Sequence, residues 1–252
     1  KFFEMELPIN KILLGDCLDI MPQFPDKSFD MILSDLPYGT TKCSWDVIIP
    51  FDKLWEQYKR IIKPNGAIAL FGSGLFTHKL ALSNEKWYKY DIIWEKSKSG
   101  SSFTAKYRPV SKHESILIFG KGRVNYYPQM VAGKPYYRKR KENKGDSPNN
   151  HRLGVVKVSE TINDGFRYPS SVQFFQQKWR RQDQLHPTQK PVELMEWFIK
   201  SYSKKGDLVL DNCAGSGTTG VACINTDRNY ILIELDQIEH AKCVKRLANE
   251  II

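Results

Sequence analysis

The sequence predicts an α/β fold: a doubly wound, mostly parallel sheet of seven strands that is interrupted by a basic insert. Three observations support this prediction. Short apolar runs alternate with helical repeats over the first 120 residues, a pattern typical of parallel sheets covered on both faces. The alternation stops near Lys121 and resumes after Lys190. Residues 96–181, which span most of this gap, hold 19 of the 38 lysines and arginines.

Seven short apolar runs bounded by turn residues predict the strands. They are residues 10–14, 29–33, 66–71, 90–95, 115–119, 208–211 and 230–234. Apolar residues at helical spacing predict helices between these runs. The helices are expected near residues 18–21, at 51–62, after 74, at 192–202, after 217 and at 238–248.

The segment 121–184 shows no sustained period and is polar, basic and rich in aromatic residues. A loop of this length inside a compact domain is usually functional or disordered, and the aromatic residues favour partial order. We interpret it as an insert that divides one domain into two halves, residues 1–120 and 185–252.

Charge is distributed unevenly along the chain, whose net charge is +10. Residues 96–181 contain only 5 of the 28 acidic residues and carry a net charge of +14, so the remaining residues sum to −4. A basic segment on a near-neutral body is typical of a polyanion-binding protein. The sequence therefore favours nucleic acid as a partner over a merely solvated basic surface.

Other protein classes are disfavoured by composition. No window approaches about 18 consecutive apolar residues, so no membrane span is expected, and residues 1–6 carry acids too early for a signal peptide. The cysteines form no C-x-x-C pair, which argues against a zinc site and a disulfide framework. We therefore expect no metal and reduced thiols in a cytoplasmic protein. The cysteines are Cys17, Cys43, Cys213, Cys223 and Cys243.

The run from Gly215 to Gly220 has the spacing G-x-G-x-x-G between a predicted strand and a predicted helix. Glu234 ends the next strand, 19 residues after Gly215. This is the context of a nucleotide-binding turn, because glycines allow a ligand close to the backbone and the helix start presents free N–H groups. A P-loop is excluded because no lysine follows in the required position, whereas the letters alone leave a nicotinamide dehydrogenase open.

A second candidate site begins where the strand at residues 29–33 ends, an edge at which open α/β sheets bind ligands. The carboxylate of Asp35 can accept hydrogen bonds from an amino group, and the ring of Tyr38 can stack on a flat group. The alternative is a solvated aspartate in an ordinary turn. The 32 residues after Gly220 hold room for a helix, a strand and a helix. We therefore expect both halves to share one sheet, with the two sites at neighbouring strand ends.

With these motifs in this order, the chain resembles a β-class amino-group DNA methyltransferase that uses S-adenosyl-L-methionine. In that family an Asp-Pro-Pro-Tyr-type motif precedes a target-recognition region, and a glycine motif follows. Here these correspond to residues 35–38, roughly 120–184 and 211–219, while residues 186–191 and Asp16 match further family positions. The resemblance implies a Rossmann-like methyltransferase fold with permuted motif order. Leu36 replaces the usual first proline, and Asn212-Cys213 replaces the common Pro-Phe.

The resemblance also implies roles for individual residues. Asp35 and the carbonyl of Leu36 would accept from the amine of a flipped-out base, Pro37 would fix the corner, and Tyr38 would stack on that base. Trp45 and Asp46 are candidate borders of the target pocket, although a core position is the alternative for Trp45. For Lys190, a solvated lysine near a helix start is the alternative. The implied cofactor residues are Asp16, Cys17, Ser34, Asp35, Thr188, Lys190, Asp211, Asn212, Cys213, Gly215, Ser216, Gly217, Thr218, Thr219, Glu234 and Leu235.

The insert would supply contacts to double-stranded DNA. Its basic run suits phosphates, and its glutamines and arginines suit base edges, although a solvated face is an alternative for any single residue. The candidates are Arg138, Lys139, Arg140, Lys141, Gln176, Gln177, Arg180 and Arg181, with Gln173 as a further base reader. The family permits a homodimer and a partner restriction endonuclease, in a bacterial, archaeal or phage-encoded protein.

Aspartate at position 35, where cytosine-N4 enzymes more often have serine, resembles adenine-N6 enzymes. The predicted activity is therefore direct, in-line methyl transfer to the N6 amine of adenine in a specific duplex sequence. Two alternatives with the same cofactor remain, a cytosine-N4 DNA methyltransferase and an RNA methyltransferase. An inactive DNA-binding protein is the alternative from another class.

Overall fold

The structure, a computed structural model, describes residues 6–41, 46–100, 105–140, 159–177 and 189–250. Contacts divide the chain into two compact units. The large unit comprises Lys1–Tyr127 and Ser171–Ile252, and the small unit comprises Pro128–Ser170. The small unit is therefore shorter than the predicted insert at 121–184.

Outside the predicted insert, the helices and strands follow the predicted order, whereas the insert contains strands that were not predicted. In chain order, the described strands are β1 (Lys11–Leu14), β2 (Phe29–Ser34), β3 (Ile62–Gly72), β4 (Tyr88–Lys96), β5 (His113–Phe119), β6 (Val131–Ala132), β7 (Tyr136–Arg140), β8 (Ser159–Asn163), β9 (Phe166–Arg167), β10 (Val172–Phe175), β11 (Leu208–Asp211) and β12 (Asn229–Glu234). The helices are α1 (Cys17–Ile20), α2 (Phe51–Ile61), α3 (Leu75–Ser83), α4 (Val192–Tyr202), α5 (Thr218–Asn225) and α6 (Gln237–Glu250). In these ranges, no helix combines the length and the apolar character needed to span a membrane.

Eight of the described strands form one sheet in the order β1-β12-β11-β2-β3-β5-β4-β10. β5 runs antiparallel to its neighbours β3 and β4, and the other pairs are parallel. The expectation of a doubly wound, mostly parallel sheet that takes strands from both halves of the chain is confirmed. The central pair β11 and β2 joins the two halves.

Helices cover both faces of this sheet, as alternation along the strands requires. Met31 and Leu33 of β2 belong to one buried cluster, which includes residues of α4, α5 and α6. Ile32 of the same strand belongs to the other cluster, which includes residues of α1, α2 and α3. In α2 the buried residues recur at helical spacing, at Leu54, Trp55, Tyr58 and Ile61. This apolar stripe explains why the segment folds as a helix and packs on the sheet.

The sheet differs from the predicted one at two places. β3 begins at Ile62, before the Pro-Asn-Gly turn predicted at 64–66, and its register with β2 shifts between Phe29 and Met31. Such a bulge accommodates a proline, which cannot donate to the ladder. β10, from the predicted insert, adds an eighth strand beside β4. Its four residues alternate between exposed and half-buried, and so short a run gives little periodic signal.

The small unit contains two strand pairs. β6 pairs with β9, and β7 pairs with β8, both antiparallel. Gly165 has φ 103°, and a Cβ at this position would approach the carbonyl oxygen of Gly133 to 2.9 Å. Glycine therefore allows the turn before β9 to pack against the chain beside β6.

Candidate cofactor and catalytic site

The two predicted sites meet where β2 and β11 end. These strands are parallel neighbours, with Leu210 opposite Ile32. Ser34 at the end of β2 donates a hydrogen bond of 2.9 Å to Oδ1 of Asp211 at the end of β11. The expectation that the corner after residue 33 and the glycine turn lie at neighbouring strand ends is confirmed.

A cavity of about 650 Å³ opens at this edge of the sheet. This volume is within the range of pockets that hold small ligands and cofactors. Most of the predicted catalytic and cofactor residues line it: Asp16, Cys17, Asp35, Leu36, Pro37, Tyr38, Lys190, Asp211, Asn212, Cys213, Gly215, Ser216, Thr218, Thr219, Glu234 and Leu235. Ser34 and Gly217 support neighbouring residues instead, and Thr188 lies outside the described residues.

Asp211 is a buried carboxylate held by three donors. Ser34 and the backbone amide of Cys213 donate to Oδ1, at 2.9 and 3.1 Å, and the hydroxyl of Thr219 donates to Oδ2. Burial raises the pKa of Asp211 to about 6, although these hydrogen bonds oppose the rise. At neutral pH the carboxylate is therefore charged and can attract a cationic ligand group.

The glycine turn connects β11 to α5 and is tied to β12. The amide of Gly215 donates to Oε2 of Glu234 at 2.6 Å, and the amide of Asp236 donates to Oε1 at 2.9 Å. A carboxylate has about four acceptor positions, so Glu234 retains capacity for ligand hydroxyls. A Cβ on Gly215 would meet nothing within 4 Å, which leaves room for a ligand beside the backbone.

Gly217 begins α5 in the left-handed region, with φ 74°. A Cβ at this position would overlap Sγ of Cys243 on α6. Glycine is therefore needed here both for the backbone conformation and for the close packing of α6 against the turn. This explains why Gly217 is required even though it does not line the cavity.

At one end of the cavity, two cysteines share a single amide. Nδ2 of Asn212 lies 3.5 Å from Sγ of Cys17 and 3.5 Å from Sγ of Cys213, while Oδ1 of Asn212 accepts from Tyr58. A hydrogen bond between the two thiols lowers the pKa of Cys17 and raises the pKa of Cys213. Nearby, Asp16 caps α1 by accepting from the amide of Leu18 at 2.8 Å.

The corner after β2 is held closed by its own side chains. The hydroxyl of Tyr38 donates to Oδ1 of Asp35 at 2.7 Å. Its ring stacks on Phe76, with ring centroids 4.8 Å apart and 29° between the planes. Burial raises the pKa of Tyr38 well above its usual range, and the charge of Asp35 adds to this rise. Tyr38 therefore stays a neutral hydroxyl that donates to the carboxylate, and Leu36 beside it is buried.

Asp46 fixes the loop that follows this corner. Its carboxylate accepts from the backbone amides of Gly39, Thr40 and Thr41 at 2.8, 2.8 and 2.6 Å. Burial acts to raise the pKa of Asp46, but these donors and the hydroxyl of Thr41 hold it below its usual range. Asp46 lines the cavity, and Trp45 lies outside the described residues. Sequence analysis did not predict that Asp46 would hold the backbone amides of this loop.

Lys190 ion-pairs with Oδ2 of Asp35, and its Nζ lies 3.4 Å from Oε2 of Glu114. Glu114 in turn ion-pairs with Lys96. The alternative that Lys190 is a solvated lysine is wrong, because only 8% of the residue is exposed. Sequence reasoning missed Glu114 and Lys96; a glutamate at the start of the apolar run Ser115–Phe119 was the only available signal.

The candidate DNA contacts are only partly described. Arg138 and Lys139 are exposed on β7, where Lys139 pairs with Glu160 of β8 at 2.9 Å; Arg140 ends this strand. Gln173 lies on β10, and just after it Gln176 is exposed and Gln177 is half-buried. The backbone amide of Gln177 donates to the hydroxyl oxygen of Ser97 at 2.9 Å, and Gln177 lines the cavity. Lys141, Arg180 and Arg181 lie outside the described residues.

Within the part of the chain that the structure describes, no group of three or more histidine, cysteine, aspartate or glutamate residues is placed to hold a metal ion. The cavity is lined by carboxylates, amides, hydroxyls, thiols and ammonium groups. These groups offer hydrogen bonds and charge to a ligand.

Comparisons with known proteins agree on one family. The family model described as DNA methylase, for N6 and N4 methyltransferases, matches residues 29–245. The Type II methyltransferase M2.MboI of Moraxella bovis is 30% identical over 275 residues, which cover 99% of this chain and 91% of that protein.

Solved structures show the same fold. The crystal structure of the M1.HpyAVI–SAM complex is 25% identical, with a TM-score of 0.63 over 94% of this chain and 98% of that one. The cytosine-N4-specific PvuII DNA methyltransferase is 15% identical, with a TM-score of 0.64 over 95% of this chain and 90% of that one.

Proposed function

This chain belongs to the DNA methylase family of N6 and N4 amino-methyltransferases, and we propose that it methylates the N6 amine of adenine in duplex DNA. As a member of this family it uses S-adenosyl-L-methionine as the methyl donor. The observation that carries the proposal is the meeting of Asp35 and the glycine turn at neighbouring strand ends, on one cavity. A cofactor on the turn and a base at the corner would face each other there.

The cavity fits the cofactor by the chemistry of its lining. We assign the methionine end to Asp211, whose charge at neutral pH suits an ammonium group. Room beside Gly215 allows close approach to the backbone, and the free acceptor capacity of Glu234 suits ribose hydroxyls. We assign the adenine to the end of the cavity beside Asp16 and Cys17. The bound cofactor supplies an activated methyl group on a sulfonium.

The exocyclic amine of adenine is a poor nucleophile because its lone pair is delocalised into the ring. Asp35 and the carbonyl of Leu36 would accept hydrogen bonds from its two N–H groups, which favours a more tetrahedral nitrogen whose lone pair is directed at the methyl group. Orientation and preorganised acceptors then supply the catalysis, without a covalent enzyme intermediate. The amine is unreachable inside the base stack, so the target base must rotate out of the duplex.

Tyr38 is placed to take part in this entry of the base. Its hydroxyl is bound to Asp35 and its ring is stacked on Phe76. Stacking on an incoming base would add a second flat contact to the ring. The hydrogen bond to Asp35 keeps the carboxylate oriented until the amine arrives.

Adenine is favoured over cytosine by the aspartate at position 35. Cytosine-N4 methylation is the alternative, and the fold does not choose between them, because the PvuII enzyme with its cytosine specificity has the same fold. The small unit, with exposed Arg138 and Lys139, supports duplex DNA as the substrate through phosphate contacts. By its name M2.MboI is a Type II methyltransferase, which supports a restriction–modification role.

Transfer of labelled methyl groups tests this function. The purified chain is incubated with tritiated S-adenosyl-L-methionine and either mixed-sequence duplex DNA or structured RNA. We expect label in the duplex only. Label in RNA would favour an RNA methyltransferase, and DNA binding without transfer to any duplex would favour an inactive DNA-binding protein.

A further inference from the structure

Four side chains of alternating charge form a continuous chain on the wall of the cavity. Asp35 pairs with Lys190, Lys190 lies 3.4 Å from Glu114, and Glu114 pairs with Lys96. The four residues come from four parts of the fold: the corner after β2, the segment before α4, and strands β5 and β4. All four line the cavity.

These charges are shielded from water, most of all in the middle of the chain. The exposed fractions of the side chains are 9% for Lys190, 11% for Glu114, 18% for Lys96 and 28% for Asp35. A buried charge is costly unless it is paired. Burial acts to lower the pKa of Lys190, but the charges of Asp35 and Glu114 outweigh it and raise the pKa. Lys190 therefore remains an ammonium.

Glu114 is held as a carboxylate by the same arrangement. Burial acts to raise its pKa, but the charges of Lys190 and Lys96 hold the pKa below its usual range. Oε2 of Glu114 is buried, and the ammonium of Lys190 is its near partner. The ring of Phe71 lies under this ammonium, 5.0 Å from Nζ to the ring centroid. Lys190 is thus fixed by two carboxylates and one aromatic face.

We propose that Glu114 is a positioning residue for Asp35 and that it acts through Lys190. This inference rests on the proposed function. Lys190 holds Oδ2 of Asp35 while Tyr38 donates to Oδ1, so the carboxylate is oriented from both sides. The ammonium of Lys190 interacts with both Glu114 and Asp35, so it neutralises the charge of Asp35 only in part. Asp35 is therefore held in place and remains a strong hydrogen-bond acceptor for the target amine.

The arrangement changes the role of Lys190. Its ammonium is committed to Asp35 and Glu114, so it serves the acceptor of the amine rather than the cofactor. Glu114 therefore affects the methyl-transfer step without touching the reacting atoms. Loss of its charge would leave Lys190 paired with Asp35 alone, which weakens Asp35 as an acceptor and loosens the ammonium.

The test is the Glu114→Gln variant, which keeps the shape of the side chain and removes its charge. We expect kcat to fall by about 10- to 100-fold, while the Kd for S-adenosyl-L-methionine changes less than about threefold. The pKa of Lys190 is raised above its usual range, so wild-type kcat should stay level up to the alkaline end of a profile measured between about pH 6 and 10.5, whereas the alkaline limb of the variant's kcat profile should fall within that range. The reason is that Lys190 loses one of the two negative charges that raise its pKa, while burial still acts to lower it.

Among the residues that the structure describes, the charged and titratable groups around this pair are Asp35, Tyr38 and Lys96, besides Glu114 and Lys190 themselves. Lys190 and Lys96 both lose a nearby counter-charge to the substitution, and of these two lysines Lys190 is the one that pairs with Asp35. A merely structural role for Glu114 would not move the alkaline limb. An unchanged kcat and an unchanged alkaline limb would overturn the proposal.

Glu95→Gln is the matched control. Glu95 lies on β4 beside the strand that carries Glu114 and pairs with Lys112 at 3.1 Å, but both side chains are exposed, at 43% and 54%. We expect wild-type kcat and pH profile from this variant. A kcat loss equal to that of Glu114→Gln would overturn the proposal, because it would trace the effect to the strand pair.

A second variant and the wild type complete the design. If Glu114→Gln does not fold, the proposal is tested with Glu114→Asp. This variant keeps the negative charge but moves it away from Lys190 by one methylene group. It should lower kcat with an unchanged cofactor Kd, and a wild-type kcat would overturn the proposal. An inactive wild-type chain would instead refute the proposed function, so the two failures are distinguishable.

Discussion

The hydroxyl of Ser34 donates a hydrogen bond of 2.9 Å to Oδ1 of Asp211 and so joins the carboxyl ends of β2 and β11. The two residues are 177 positions apart in the chain. One side of this contact carries the corner at Asp35 and the other carries the glycine turn. The contact therefore sets the distance between the groups that would hold the amine and the cofactor.

Cofactor affinity should depend on the charge of Asp211. Its pKa is raised to about 6, so protonation as the pH falls through 6 removes the charge that attracts the cofactor's ammonium. The Kd for S-adenosyl-L-methionine should rise between about pH 7 and 5, approaching tenfold per unit at the acid end. The Asp211→Asn variant should bind weakly at all these pH values. Calorimetric titration checks this, and a pH-independent wild-type Kd would contradict it.

Asp35→Ala should lower kcat by about 10²- to 10³-fold, because the target amine loses its charged acceptor. The cofactor Kd should stay within about threefold, since Asp211 and Glu234 are untouched. Single-turnover methyl transfer to duplex DNA measures the first effect, and cofactor binding measures the second. Unchanged turnover would remove Asp35 from the mechanism.

Gly217→Ala should destabilise the fold more than Gly206→Ala. Both glycines have positive φ, 74° and 83°, and a side chain costs roughly 1–2 kcal/mol there. A Cβ on Gly206 would meet nothing within 4 Å, whereas one on Gly217 would overlap Sγ of Cys243. Overpacking should add about 1–3 kcal/mol. Urea unfolding compares the two variants, and equal losses of stability would argue against tight packing at Gly217.

S-Adenosylhomocysteine, the product left by the cofactor, should protect Cys17 from alkylation. Cys17 lines the cavity, and its lowered pKa favours the reactive thiolate, whereas the raised pKa of Cys213 disfavours it. Cys223 and Cys243 are buried at 0% exposure and should not react. Peptide mapping after N-ethylmaleimide treatment, with and without S-adenosylhomocysteine, checks this. All samples carry Cys43→Ser, because Cys43 lies outside the described residues and its reactivity is not part of the test. Labelling of Cys17 that the ligand does not change would contradict the prediction.

The proximity of Asp35 and Asp211 could be predicted from the sequence. Asp35 and Asp211 each follow a short apolar run, and parallel strands end at the same edge of a sheet. Their proximity therefore follows from the order of strands and from the need of both halves for a common sheet.

The sequence does not predict which side chains from distant parts of the chain form ion pairs. Glu114 and Lys190 are separated by 76 positions. Each has charged neighbours in the sequence, and the sequence alone does not show which of these residues forms the pair. Only the packing of the segment before α4 against β5 selects this pair. Likewise, β10 is a strand because β4 offers it an edge, and four residues of weak alternation do not predict that edge.

The most direct test identifies the methylated nucleoside. Duplex DNA is methylated by the wild-type chain with S-adenosyl-L-methionine, digested to nucleosides and separated by chromatography with mass detection, with Asp35→Ala as the parallel sample. The account predicts N6-methyladenine from the wild type and almost none from the variant. N4-methylcytosine as the product would contradict the adenine assignment, and equal product from both samples would contradict the role of Asp35.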